Sequence, residues 1–119
     1  MTYTYIEEIG KRAKEAAKTV QYLGQKRKNE GLCMAAEELL IQQKYLLAEN
    51  EKDIQAAKVN GMKDSLVDRL RLTQKRIEGM AEGLRQIAGL PDPIGEVISM
   101  NERPNGLKIG RRRVPLGVV

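Results

Sequence analysis

Two prolines in three residues, at Leu90-Pro91-Asp92-Pro93, separate stretches of different apolar periodicity. Proline lacks a backbone N–H and clashes with the preceding turn, so no helix continues through this segment. Before it, apolar residues recur at three- and four-residue steps; after it, they fall in short runs split by turn residues. The expected fold class is therefore mostly α with a C-terminal β-ribbon.

The first helix is expected over residues 4–23, where Ile6, Ile9, Ala13, Ala16, Ala17, Val20 and Leu23 share a face and Gly24 is a plausible stop. A second helical stretch runs from Lys26 to Asn60, with a break expected around Gln43 to Lys44. Asn50 reads as the N-cap of a separate helix over 51–60, and Asn60-Gly61 as its left-handed end. A short helix follows at Asp64 to Leu70. A longer one starts after the cap Thr73, buries Ile77, Met80, Ala81, Leu84, Ile87 and Ala88, and stops at Gly89. Gly79 and Gly83 lie inside that helix at about 1 kcal/mol each relative to Ala, which points to a close neighbour.

Beyond the prolines, Glu96 to Met100 and Leu107 to Val114 read as two antiparallel strands around the turn Arg103-Pro104-Asn105-Gly106. An isolated hairpin is marginal in water, and the only further strand candidate is the stub Val118-Val119. This ribbon needs a partner sheet.

Composition removes several chemistries. The 119 residues include no His, Trp or Phe and one Cys. Without His there is no Ser-His-Asp or Cys-His relay and no imidazole metal ligand. One Cys allows no internal disulfide and no multi-thiolate zinc site. Residues 1–10 lack the basic start and apolar run of a signal peptide, and no apolar run is long enough to cross a bilayer. A reducing cytoplasm is the expected location, with no membrane partner. The net charge of +5 is concentrated in the tail, where Arg103, Lys108, Arg111, Arg112 and Arg113 face Glu102 alone. A nucleic-acid binder would more often spread a basic stripe along a helix face, so no nucleic-acid partner is expected.

The remaining candidates each have a plain structural explanation. Cys33, beside Leu32 and Met34 on a helix, reads as a packed thiol rather than a nucleophile. The pairs Glu7-Glu8, Glu37-Glu38 and Glu49-Glu51 read as solvated helix faces. Arg111-Arg112-Arg113 suits an exposed ribbon, where charge blunts edge-to-edge aggregation. The glycines at 79, 83 and 89 lack the Lys-Ser/Thr of a phosphate loop.

Read together, the longer strings are more specific. Asp68-Arg69-Leu70-Arg71-Leu72-Thr73 with Arg76-Ile77 and Gly79-Met80-Ala81, then Leu84-Arg85-Gln86-Ile87 leading into Leu90-Pro91-Asp92-Pro93-Ile94-Gly95-Glu96-Val97, resemble gamma-glutamyl phosphate reductase (glutamate-5-semialdehyde dehydrogenase). Ala48-Glu49-Asn50-Glu51-Lys52-Asp53-Ile54 is similar to the segment that opens these enzymes. The ending Arg111-Arg112-Arg113-Val114-Pro115-Leu116-Gly117-Val118-Val119 is the most distinctive part. The resemblance covers essentially the whole chain in one order.

It implies the N-terminal part of an α/β aldehyde dehydrogenase-like, Rossmann-type fold. Residues 1–95 would form the N-terminal helical layer of the cofactor-binding domain. Residues 96–114 would be a β-ribbon arm for homo-oligomer formation, and 115–119 the truncated start of the next strand. It further implies a parent enzyme that reduces L-glutamyl 5-phosphate to L-glutamate 5-semialdehyde with NADPH in proline biosynthesis, through a cysteine thioacyl intermediate. A complete member is several times longer. No catalytic, cofactor-binding or metal residue of the family maps onto positions 1–119, and Cys33 does not match the catalytic motif. The 119 residues are expected to be inactive alone and to bind no NADPH. The other expectation is a free-standing helical interaction and oligomerisation module with a basic tail.

Overall fold

In a computed structural model the described residues are 3–119; Met1 and Thr2, which begin the 1–95 segment, lie outside them. Five helices precede two strands: α1 (Tyr3–Val20), α2 (Gln25–Ile41), α3 (Gln43–Val59), α4 (Asp64–Leu70), α5 (Gln74–Ala88), β1 (Val97–Glu102) and β2 (Lys108–Arg112). The mostly helical class with a terminal ribbon is as the sequence led us to expect. The chain divides into two units, residues 26–90 and the residues up to Gln25 together with Pro91–Val119.

In the helical unit, α2 and α3 are joined through Gln42 alone, whose φ of −87° and ψ of 10° turn the chain without breaking its ladder. The Gln42 N–H still donates to the Glu38 carbonyl and the Leu46 N–H to the Gln42 carbonyl, both at 2.9 Å. The break thus falls one residue before the expected place. Neither proline nor glycine stands there.

Asn50 corrects the sequence reading. No helix begins at residue 51; α3 runs continuously through that point, with Asn50, Ile54 and Ala57 buried on one face. Spacings of four and three residues align these side chains, and Ile54 and Ala57 meet Val67 of α4. Ile77 and Ala81 of α5 and Ala36 of α2 are the other buried apolar residues among the described ones. Met80 and Ile87, expected in the core, are instead about half exposed, at 48% and 54%. They lie on a different side of α5 from Ile77 and Ala81.

Helix α3 ends where expected. Gly61 takes φ of +73°, the Gly61 N–H donates to the Lys58 carbonyl, and the Met62 N–H to the Ala57 carbonyl. This paired closure satisfies two otherwise orphaned carbonyls. Thr73 caps α5 as expected, its hydroxyl oxygen accepting from the Arg76 N–H at 3.2 Å. Gly24 has no such role: α1 ends at Val20, and Gly24 is not among the glycines with positive φ. A Cβ built on Gly79 or Gly83 meets nothing within 4 Å, so the neighbour expected from the sequence is not found among the described residues.

In the other unit, α1 has no buried residue; Ile6 and Ile9 are exposed, and Ala13 and Ala17 are half-buried. The strands pair antiparallel, with Glu102 opposite Lys108, Asn101 opposite Ile109 and Met100 opposite Gly110. An irregularity between Val97 and Ser99 leaves Ile98 as an extra residue. Pairing continues past both strand ends, since the Arg113 N–H donates to the Glu96 carbonyl at 2.9 Å. The turn uses Gly106 at φ +84°, while Asn105 keeps a negative φ. A type I′ turn needs positive φ at both central residues, so the Asn-Gly pair acts differently here. Pro104 presets its own φ, and the Asn105 side chain accepts from the Leu107 N–H at 3.1 Å.

Candidate functional site

The most organised polar arrangement in the chain holds the connection between α4 and α5. The Asn50 amide nitrogen donates to the Leu70 carbonyl at 3.0 Å, and its oxygen accepts from the Leu72 N–H at 2.7 Å. The Arg76 guanidinium donates to the Asp68 and Arg71 carbonyls and lies 3.5 Å from the Asp68 carboxylate. Arg71 pairs with Glu51 at 3.3 Å. The loop between the two helices would otherwise leave backbone groups without partners, and a partly buried amide with both halves satisfied stabilises one loop path. The strings 48–54 and 68–77 therefore encode one structural lock. Sequence reading found the residues but missed the joint role of Asn50, because its partners lie 20 and 22 positions away.

The candidate chemical residues do not converge. Cys33 is a half-buried free thiol in α2. Glu7, Glu8, Glu37 and Glu38 are exposed, and Glu49 pairs with Lys52. Among the described residues no group of three or more His, Cys, Asp or Glu is placed to hold a metal ion. No described helix is long and apolar enough to cross a membrane. Of the three consecutive arginines, Arg112 donates to the Gly95 carbonyl at 3.1 Å and Arg113 pairs with Glu96 at 3.1 Å. Both fold back onto the two residues that precede β1. Only the Arg111 side chain, opposite Ser99, has no polar partner among the described residues.

What the chain offers instead is apolar surface. At the bend between α2 and α3, Ala35, Glu38, Leu39, Gln42, Tyr45 and Leu46 line an open groove of about 620 Å³. On α1, Ile6, Ile9 and Val20 are exposed, as are Val97, Ile98, Met100, Leu107 and Ile109 of the ribbon. Exposed apolar area on this scale marks sites of interaction.

No protein-family model matches the chain. Curated relatives match it closely. It is 52% identical over 114 residues to the gamma-glutamyl phosphate reductase of Moorella thermoacetica, a match covering 96% of this chain and 27% of the relative. It is 51% identical over 114 residues to that of Lachnospira eligens, covering 96% and 28%. Among solved structures, gamma-glutamyl phosphate reductase from Thermotoga maritima superposes with a TM-score of 0.84 at 40% identity, over 91% of this chain and 26% of that one. The enzyme from Saccharomyces cerevisiae gives 0.76 at 26% identity, over 92% and 28%. The chain thus spans about 27% of the length of the curated relatives it matches. Likeness across 96% of the residues favours the reductase reading over a free-standing module. In sequence and in fold, this chain is similar to the N-terminal quarter of gamma-glutamyl phosphate reductase, an aldehyde dehydrogenase-like enzyme.

Proposed function

We propose that the chain serves as the N-terminal part of an enzyme reducing L-glutamyl 5-phosphate to L-glutamate 5-semialdehyde and phosphate in proline biosynthesis, in the cytoplasm. The observation that carries this reading is 52% identity over 114 residues to a reductase of that name, with a matching fold at TM-score 0.84 for another. NADPH would supply the hydride in the complete enzyme; none of residues 1–119 is assigned a contact to it.

The segment's own contribution is structural. Residues 1–95 form a helical layer for the cofactor-binding domain, residues 96–114 an arm that adds to the sheet of a neighbouring subunit, and 115–119 lead into the next strand. Exposed apolar residues on α1 and the ribbon support this role, because each surface presents side chains that the described residues leave exposed. Adding a strand pair to another sheet satisfies the unpaired outer edges of an isolated ribbon.

The test is a chimera in which residues 1–119 replace the matching segment of the Moorella thermoacetica enzyme. It is expected to oxidise glutamate 5-semialdehyde with NADP and phosphate, the reverse of the biosynthetic direction, while the free 119-residue chain shows no turnover. A soluble, folded chimera without activity, or an active free chain, would overturn the proposal.

A further inference from the structure

Helix α5 carries two apolar faces, and the described residues bury one. Ile77, Ala81, Leu84 and Ala88 lie at spacings of four, three and four residues, with Ile77 and Ala81 fully buried. At 100° per residue, Gly79, Met80, Gly83 and Ile87 fall together on another side of the helix. Leu90, just past the helix end, continues the same line. Polar residues Gln74, Lys75, Glu78, Glu82, Arg85 and Gln86 are confined to what remains of the circumference.

That second face is open. Met80, Ile87 and Leu90 are 48%, 54% and 60% exposed, and nothing lies within 4 Å of a Cβ placed on Gly79 or Gly83. Arg76, the charged residue on this side, is drawn back onto the Asp68 and Arg71 carbonyls. Two glycines four residues apart weaken a helix interior, and among the described residues they gain no close packing in return. Large apolar residues flanking a strip without side chains form a shape that admits another backbone closely.

We infer that the Gly79–Gly83 face of α5 is a buried seam, against which the remaining polypeptide of the reductase packs in close backbone contact. The occupant follows from length: the relatives that this chain matches over 96% of its residues are about three and a half times as long, so most of such an enzyme lies outside these 119 residues. The inference rests on the functional reading above, and α5 is then an inner helix of the complete domain, covered on two sides.

One double substitution, Gly79→Gln with Gly83→Gln, distinguishes the alternatives in two contexts. Glutamine is a good helix former and soluble, so in the free chain the variant is expected to melt roughly 5–10 °C higher than its parent. In the chimera with the Moorella thermoacetica enzyme, the same two side chains fill the seam with polar bulk. There the melting temperature is expected to fall by about 10 °C or more, with loss of reductase activity. A chimera that stays as stable and active with Gln as with Gly overturns the seam while leaving the functional reading intact. A drop in the free chain also overturns it, since the face would then be covered from within. An unsubstituted chimera that folds without activity overturns the functional reading and the seam with it.

Discussion

The helical unit at 26–90 and the unit formed by α1 and the ribbon are held in different ways. All of the buried apolar residues among those described lie in the first: Ala36, Ile54, Ala57, Val67, Ile77 and Ala81. It also has the Asn50 and Arg76 locks on the α4–α5 connection. In the second unit α1 has no buried residue, and every residue of the two strands except Ser99 is exposed. An 18-residue helix is near the length at which isolated helices become marginal, and a two-stranded ribbon is no better placed. Well-formed secondary structure in both units is therefore accompanied by different packing: a small core in one, and almost wholly exposed side chains in the other.

The largest expected effect is a matched pair of deletions across that divide. Ile77→Ala removes a fully buried side chain and is expected to destabilise the helical unit by about 2–5 kcal/mol, enough to threaten so small a core. Ile9→Ala removes a 44%-exposed side chain from α1 and should change the stability of the free chain by less than about 0.5 kcal/mol. Urea denaturation followed by circular dichroism measures both. Equal losses would mean that α1 belongs to the same cooperative core, and the contrast between the units would collapse.

Next in size is Asn50→Ala, which leaves the Leu70 carbonyl and the Leu72 N–H without their partner. A cost of about 1–3 kcal/mol is expected, the usual range for an abandoned, partly buried polar group. Hydrogen exchange sharpens the reading. The Leu72 amide should lose protection, while ribbon amides such as that of Ile109 exchange as in the parent chain. Unchanged protection at Leu72 would mean that the lock contributes nothing.

Local chemistry made much of this fold legible in the sequence. Thr73 as a cap, the Asn60-Gly61 helix end and the short helix at 64–70 rest on hydrogen bonds between near neighbours, which residue type alone announces. Asn50 was misread for the converse reason. Its type suits a helix cap, but its two partners are brought to it by the fold. Gly79 and Gly83 are legible as a request for a neighbour, yet no described residue comes within 4 Å of a Cβ placed on either. Met80 and Ile87 were assigned to the core because apolar periodicity marks residues that need covering without saying what covers them. The functional reading had a separate source. Residue types and spacing point to no catalytic constellation; the strings at 68–77 and 111–119 point to a family, and in the first of them Asp68, Leu70, Arg71, Leu72, Thr73 and Arg76 make the hydrogen bonds that hold the α4–α5 connection.

The smallest expected effect lies in the ribbon. Gly110 faces Met100 across the strands, and a Cβ there would stand 2.7 Å from the methionine methyl carbon and 3.2 Å from the Ser99 carbonyl oxygen. The methyl is the far end of a flexible side chain and can swing away, whereas the carbonyl must yield by a few tenths of an ångström. Against this, alanine restricts the unfolded chain more than glycine, an effect of about 0.4–1 kcal/mol in favour of the fold. Gly110→Ala should therefore leave the urea midpoint of the helical unit unchanged and alter the ribbon by only a few tenths of a kcal/mol. The visible consequence is a displaced Met100 methyl resonance in a carbon–proton correlation spectrum, with the Met80 methyl signal unmoved. A shift at both methionines, or a changed midpoint, would show that the ribbon and α5 respond as one body and that the two units are not held independently.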